Sequence, residues 1–350
     1  MKAAFLLVIA MLISSQSHAW RRMDNLADNA ANIYTDYYNQ FDVLPTKGTV
    51  SKKPWSDTYW PSQKGGAAWR WQRKNPSHPI FYDTKGPRAL AKMSETELDT
   101  LSPAEKYDIL MNRFDYPTVD QERKRTSADH PKWFGLCHAV AMVQTNYQEP
   151  EPRTYRIVLP DGTSKNLTFQ SSDIKALLAM ALNQATTQFG FSIGSRCESN
   201  SVSSSGRCWD THPATFYIAL GNSVGMMEES LILDVDPGAE VWNAAVVSYS
   251  AKITPKKGVS AAAARGTLRE VRVDLTLEQI IGAQPNRAKV GAKTKKVSYS
   301  FTLEIGRDEE ILGGEWISNN RPDMVWNAPF SSRLGGYFAE LENMTQRLKK

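Results

Sequence analysis

The chain has 350 residues, of which 41% are hydrophobic and 23% charged, enough apolar material for one large core or two smaller ones and an ordinary composition for a folded soluble protein. Its 42 basic and 37 acidic residues leave a net charge of +5. Spread over this length, that excess argues against a nucleic-acid partner and for a mildly basic soluble surface.

The N-terminus opens with Lys2, an apolar run from Ala3 to Ile13, and a small, polar stretch ending Ser17-His18-Ala19. That order is a secretory signal peptide with a cut expected after Ala19. The apolar run is shorter than the roughly 20 residues a membrane span needs, and no later stretch approaches that length. The expectation is therefore a secreted or periplasmic protein with no stable membrane insertion. Arg21 to Tyr38 has helical spacing, with Met23, Leu26, Ala30, Ile33 and Tyr37 on one side, and Pro45 to Gly48 breaks it. Pro54 to Pro61, with Trp55 and Trp60, runs into Gly65-Gly66 and then Trp69 and Trp71. This reads as irregular backbone pinned by large rings packed on the main domain.

Ser94 to Glu97 fits a capping box. Ser102-Pro103 starts a second helix that should run to Asn112. Asp129-His130-Pro131 is a boundary, and Trp133, Leu136, Val140, Val143 and Tyr147 return to helical spacing. Arg153 to Leu159 and Asn166 to Phe169 flank Pro160-Asp161-Gly162, a hairpin signal. Ser172 to Phe189 reads as a helix. His212 to Leu220, Ser230 to Val235 and Val241 to Tyr249 read as strands, 252–267 as a surface loop, and Arg269 to Leu275 as alternating. Val297, Tyr299, Phe301, Leu303 and Ile305 alternate strictly, the mark of a half-buried strand. Helices first and strands after predict an α+β fold without internal repeats.

Three cysteines in an exported chain are informative. Cys197 and Cys208 flank a polar loop and are expected to close a disulfide in an oxidising compartment. Cys137 is left over, and such a thiol is either reactive or buried and inert. A helix starting near Trp133 or Phe134 puts Cys137 in or just beyond its first turn, where orphan N–H groups and the dipole favour a thiolate. The same N–H groups could receive an oxyanion. Of the five histidines, His18 leaves with the signal, His78 lies in the Trp-rich region, His138 adjoins Cys137 but points elsewhere, and His130 sits in a loop. His212, at an expected strand start, is the best base. Asp234 or Asp236, on the next expected strand, could orient its ring. Cys, His and Asp in that order form a plan for acyl transfer.

Several segments are similar to those of one family: Lys53 to Pro61, Leu101 to Ile109, Trp133 to His138, Leu233 to Val235 running into Ala239 to Asn243, and Gly313 to Trp316 leading to Pro322-Asp323. In this order, over roughly residues 50–330, the chain resembles the transglutaminase elicitor family, known from secreted calcium-dependent oomycete enzymes with bacterial relatives. The resemblance implies a papain-like core, with a nucleophile helix on an antiparallel sheet. It implies a γ-glutamyltransferase that joins protein glutamine to protein lysine through a cysteinyl thioester. It carries the nucleophile onto Cys137, the base onto His212 and the orienting acid onto Asp234, with Trp133, Gly135 and Trp242 shaping the substrate site. No cofactor is required by that chemistry; calcium is implied by the family, and no EF-hand spacing assigns its ligands. The partners implied are proteins with accessible glutamine and lysine. The expected organisation is a signal peptide (1–19), a Trp-rich segment (20–95) as candidate pro-segment or cleft cover, a catalytic core (96–335) and a basic tail (336–350). Two other readings compete: a thiol hydrolase on the same scaffold, and a non-catalytic binding protein with an inert Cys137.

Overall fold

The computed structural model describes residues 36–73, 80–185, 192–196, 210–328 and 334–348. The predicted signal peptide, nearly all of the first predicted helix, His78 and the Cys197–Cys208 pair lie outside them.

The helices in chain order are α1 (Pro87–Lys92), α2 (Glu95–Asp99), α3 (Pro103–Leu110), α4 (Pro117–Arg125), α5 (Cys137–Asn146), α6 (Ser171–Ala185), α7 (Pro213–Leu220) and α8 (Leu341–Met344). The strands are β1 (Lys47–Thr49), β2 (Arg153–Val158), β3 (Ser164–Phe169), β4 (Ser192–Gly194), β5 (Ile232–Asp234), β6 (Asn243–Pro255), β7 (Arg269–Ile280), β8 (Thr294–Ile305), β9 (Ile311–Trp316) and β10 (Met324–Trp326). Local chemistry sets several boundaries. Ser94 and Ser102 each close a full capping box, with Glu97 and Glu105, at the starts of α2 and α3. Gly162, at φ 83°, turns β2 into β3, where a side chain would be strained.

The main sheet is antiparallel and runs β4-β10-β5-β6-β7-β8-β9, with β1 paired to β6; β2 and β3 form a separate hairpin. The fold is thus α+β, as the order of the predicted elements implied. Alternation along β5 and β10 divides two cores. Ile232 and Trp326 join the cluster built by α2 to α6, Trp55 and Trp60. Leu233 and Val325, one residue away, join α7 and the long strands on the other face. There Val271, Val273, Leu275 and Leu277 of β7 meet Tyr299, Phe301, Leu303 and Ile305 of β8, all buried. Each such side chain contributes about 1.5–3 kcal/mol by leaving water.

Helix α5 is buried almost all round, as expected of a helix at the centre of a core. It begins at Cys137, a few residues later than the spacing from Trp133 suggests. The preceding Leu136 N–H donates to the Tyr59 carbonyl (2.7 Å) rather than to a helical partner. His212 to Leu220 is a correction: the stretch is helix α7, not a strand. Pro213 at the first helical position and His212 as N-cap explain it, since Pro removes a donor the helix start does not use. Eight successive buried residues, Pro213 to Leu220, leave no polar face whose period would distinguish helix from strand. The predicted 252–267 loop starts later, because β6 continues to Pro255.

Candidate active site

Cys137 is the first residue of α5 and is buried. Its thiol donates to the Val241 carbonyl (3.3 Å) and accepts from the Asn243 carboxamide Nδ2 (3.7 Å). Burial pushes the thiol up. The backbone and side-chain N–H groups of Asn243 and the His138 N–H pull it down, and the negative field of Asp234 adds to the rise. The resting group is a protonated thiol among N–H donors that favour its ionised form.

Asp234 ends β5, opposite Asn243 in the register with β6. It is fully buried, and burial pushes its carboxyl up to about 6 against two backbone donors. Its Oδ1 accepts from the N–H groups of Trp242 (2.8 Å) and Asp236 (3.4 Å), while Oδ2 has no hydrogen-bond partner among the described residues. Asp236 serves a turn instead: its Oδ1 accepts from Gly238 N–H (2.8 Å).

A cavity of about 90 Å³ opens beside Cys137, with Val140, Gln144, Trp242, Asn243 and Ile280 in its wall. Tyr59, also in that wall, meets the Trp242 ring edge-on at 5.2 Å, and its hydroxyl donates to the Lys132 carbonyl (2.7 Å). Gly135 is needed where it is: a Cβ there would lie 2.5 Å from the Tyr59 carbonyl oxygen. Trp133 is half-buried, edge-on to Phe134 and under the Arg196 guanidinium; it is not among the residues that line the cavity.

Asp57 also lines the cavity. Its Oδ1 accepts from the Ser172 hydroxyl (3.0 Å), and burial pushes it up to about 7 despite the Lys175 ammonium nearby. A carboxyl raised from 3.8 to about 7 favours the fold below its unfolded pKa and loses that contribution as pH rises through 7. Asp57→Asn should therefore raise stability at pH 8 relative to the parent, on the order of a few kcal/mol, and change little at pH 4. Urea unfolding at the two pH values measures it; an equal effect at both would contradict the assignment.

The sequence profile of the transglutaminase elicitor family matches residues 30–273. The chain belongs to the transglutaminase elicitor family. No curated protein matches it. The crystal structure of the GP42 transglutaminase from Phytophthora sojae is similar, with a TM-score of 0.65 at 21% identity, covering 93% of this chain and 97% of that one. At that identity the likeness establishes the fold.

In this elicitor-family chain, Cys137, Asp234 and Trp242 come together, and Gly135 stands behind Tyr59. His212 is placed differently from its expected strand start. It caps α7, with Nδ1 accepting from Ala214 N–H (3.2 Å), and α7 packs on the face of β5 and β10 opposite α5. His138 turns to Asn183 on α6 (2.8 Å). Trp316 packs against Phe216 and Phe301 and donates to the Thr211 carbonyl. Tyr59, Asn243 and Val241 were not singled out from sequence, because their roles come from strand register and a backbone carbonyl.

Calcium, implied by the family, finds no ready set of ligands near the cleft among the described residues. Asp234 Oδ1 and Asp236 Oδ1 hold backbone N–H groups, Glu240 accepts from the Trp242 indole (2.7 Å), and no cluster of three or more His, Cys, Asp or Glu suited to a metal occurs among the described residues.

Proposed function

We propose that the chain is an exported protein-glutamine γ-glutamyltransferase whose nucleophile is Cys137. The observation that carries this reading is the thiol at the first residue of a buried helix, ringed by N–H donors and facing a small, largely apolar cavity. The apolar part of its wall, Val140, Trp242 and Ile280, suits the methylenes of a glutamine side chain that carries its carboxamide to the sulfur. The Tyr59–Trp242 pair would limit water at the thioester and leave it for an amine.

In this reading Asp234 takes the thiol proton as sulfur attacks the glutamine carboxamide, and the proton leaves with ammonia. A lysine amine then attacks the thioester. The family resemblance implies His212 as base; that ring would have to leave Ala214 to serve. Two variants separate the possibilities. Asp234→Asn is expected to lower turnover about 10²–10⁴-fold, the range of a lost acid–base group, and His212→Ala to change it severalfold. Asp236→Asn should keep its turn and most activity. With Asp234 near 6, acylation should fall as pH drops through 6, because the base is consumed by protonation. A His212→Ala loss equal to that of Asp234→Asn would return the base role to His212.

The test of the function is incorporation of a labelled amine into a glutamine-rich protein, with calcium and with chelator. Incorporation is expected. Ammonia or peptide fragments without label would make the protein a hydrolase.

A further inference from the structure

The proton transfers above leave Asn243 no role, yet among the described residues it makes the one side-chain hydrogen bond to the Cys137 sulfur. It starts β6, paired with Asp234 on β5. Its carboxamide bridges two groups: Oδ1 accepts from the Trp326 indole Nε1–H (2.9 Å), and Nδ2 donates to Cys137 Sγ (3.7 Å). An indole N–H can only donate, so the bond to Trp326 fixes which end of the carboxamide is oxygen. The amine end is thereby committed to the sulfur. Trp326 is itself buried in the helical core, from β10, and has little freedom to turn away.

We propose that the Asn243 carboxamide, held by Trp326, is a catalytic hydrogen-bond donor that stabilises negative charge first on the Cys137 sulfur and then on the carbonyl oxygen of the attacked amide. The proposal rests on the transglutaminase reading for its second half only. As the S–C bond forms, the C=O π pair moves to oxygen, and that oxyanion develops within a bond length or two of Sγ. A donor already directed at Sγ, beside the His138 N–H at the start of α5, needs little reorganisation to meet it. Collapse re-forms C=O and breaks C–N; nitrogen takes the proton lost by the thiol and leaves as ammonia, giving the thioester. Asn243 is chemically unchanged. Trp326 is a positioning residue that acts through Asn243. The other titratable groups facing the sulfur are Asp234 from β5 and Tyr59 from the segment before α1; the negative field of Asp234 opposes a thiolate, so the amide donors are what favours it.

The experiment uses the mature chain, Asn243→Leu, Trp326→Phe and the double variant. The pH dependence of iodoacetamide alkylation at Cys137 is read first, then pre-steady-state thioester formation with a glutamine peptide. Asn243→Leu should shift the alkylation profile to higher pH and slow acylation about 10²–10³-fold, as for a lost oxyanion donor, with KM little changed. Trp326→Phe should move both in the same direction by less, and the double variant should be no worse than Asn243→Leu. An unshifted alkylation profile and acylation within about threefold of the parent would overturn the proposal. If Asn243→Leu fails to fold by circular dichroism, Trp326→Phe decides on the same criteria. If the parent alkylates but forms no thioester, the transglutaminase reading fails, and the alkylation profile still decides for or against Asn243 as the donor to sulfur.

Discussion

Cys137→Ala abolishes amine incorporation and leaves the fold intact. The first half follows because no other thiol among the described residues faces the cavity, and without sulfur there is no thioester to hold the acyl group. The second half follows from what the side chain touches. It makes one weak S–H bond to Val241 and receives one long bond from Asn243, so its truncation costs about 1 kcal/mol, roughly 1–2 °C in Tm for a chain of this length. Incorporation assays with circular dichroism on the same sample read both halves. Retained activity would remove Cys137 from the chemistry. Loss of the fold would make it a structural thiol.

Lys106→Met is expected to destabilise the protein by about 3–5 kcal/mol, the cost of breaking a buried ion pair by removing one partner. Lys106 is fully buried, and its ammonium donates to Asp173 (2.6 Å) and Asp99 (3.2 Å). Asp173 is also fully buried, near the start of α6, where it accepts from the Gln170 N–H (2.8 Å) and the Trp71 indole (2.7 Å). Methionine keeps the length of the side chain and removes its charge, so Asp173 is left in the core with only neutral donors. Guanidinium midpoints at pH 5 and 8 test this. A shift below about 1 kcal/mol at pH 8 would show that water reaches the site.

The same network bears on the cleft. Asp99 also pairs with Arg287, between β7 and β8; in that segment Ser172 N–H donates to the Asn286 carbonyl (3.2 Å), and Glu149 accepts from Val290 and Gly291. Ile280, Ile281 and Gly282, at the β7 end of that connection, line the cavity. The helical layer thus holds one wall of the site in place.

Much of this was legible in the sequence. Strict alternation from Val297 to Ile305 located β8, and the Ser94–Glu97 box and Ser102-Pro103 located the starts of α2 and α3. The thiol at the head of a helix was legible because helix spacing and a leftover cysteine are both local signals. Two kinds of information were not. His212 was read at a strand start because the uniformly apolar run after it has no period, and only Pro213 signals a helix. The partners of Cys137 could not be read either. Val241 contributes a carbonyl, Asn243 acts through its register opposite Asp234 and its bond to Trp326, and Tyr59 arrives from nearly eighty residues upstream through its contact with Gly135. These are consequences of tertiary register, which no spacing in the chain records.

The most direct measurement is the intact mass of the mature protein mixed with a glutamine peptide and no amine. A covalent adduct on Cys137, equal to the peptide less one ammonia and discharged by added lysine amine, is the predicted result. An unmodified protein under conditions where iodoacetamide labels Cys137 would contradict acyl transfer at this site.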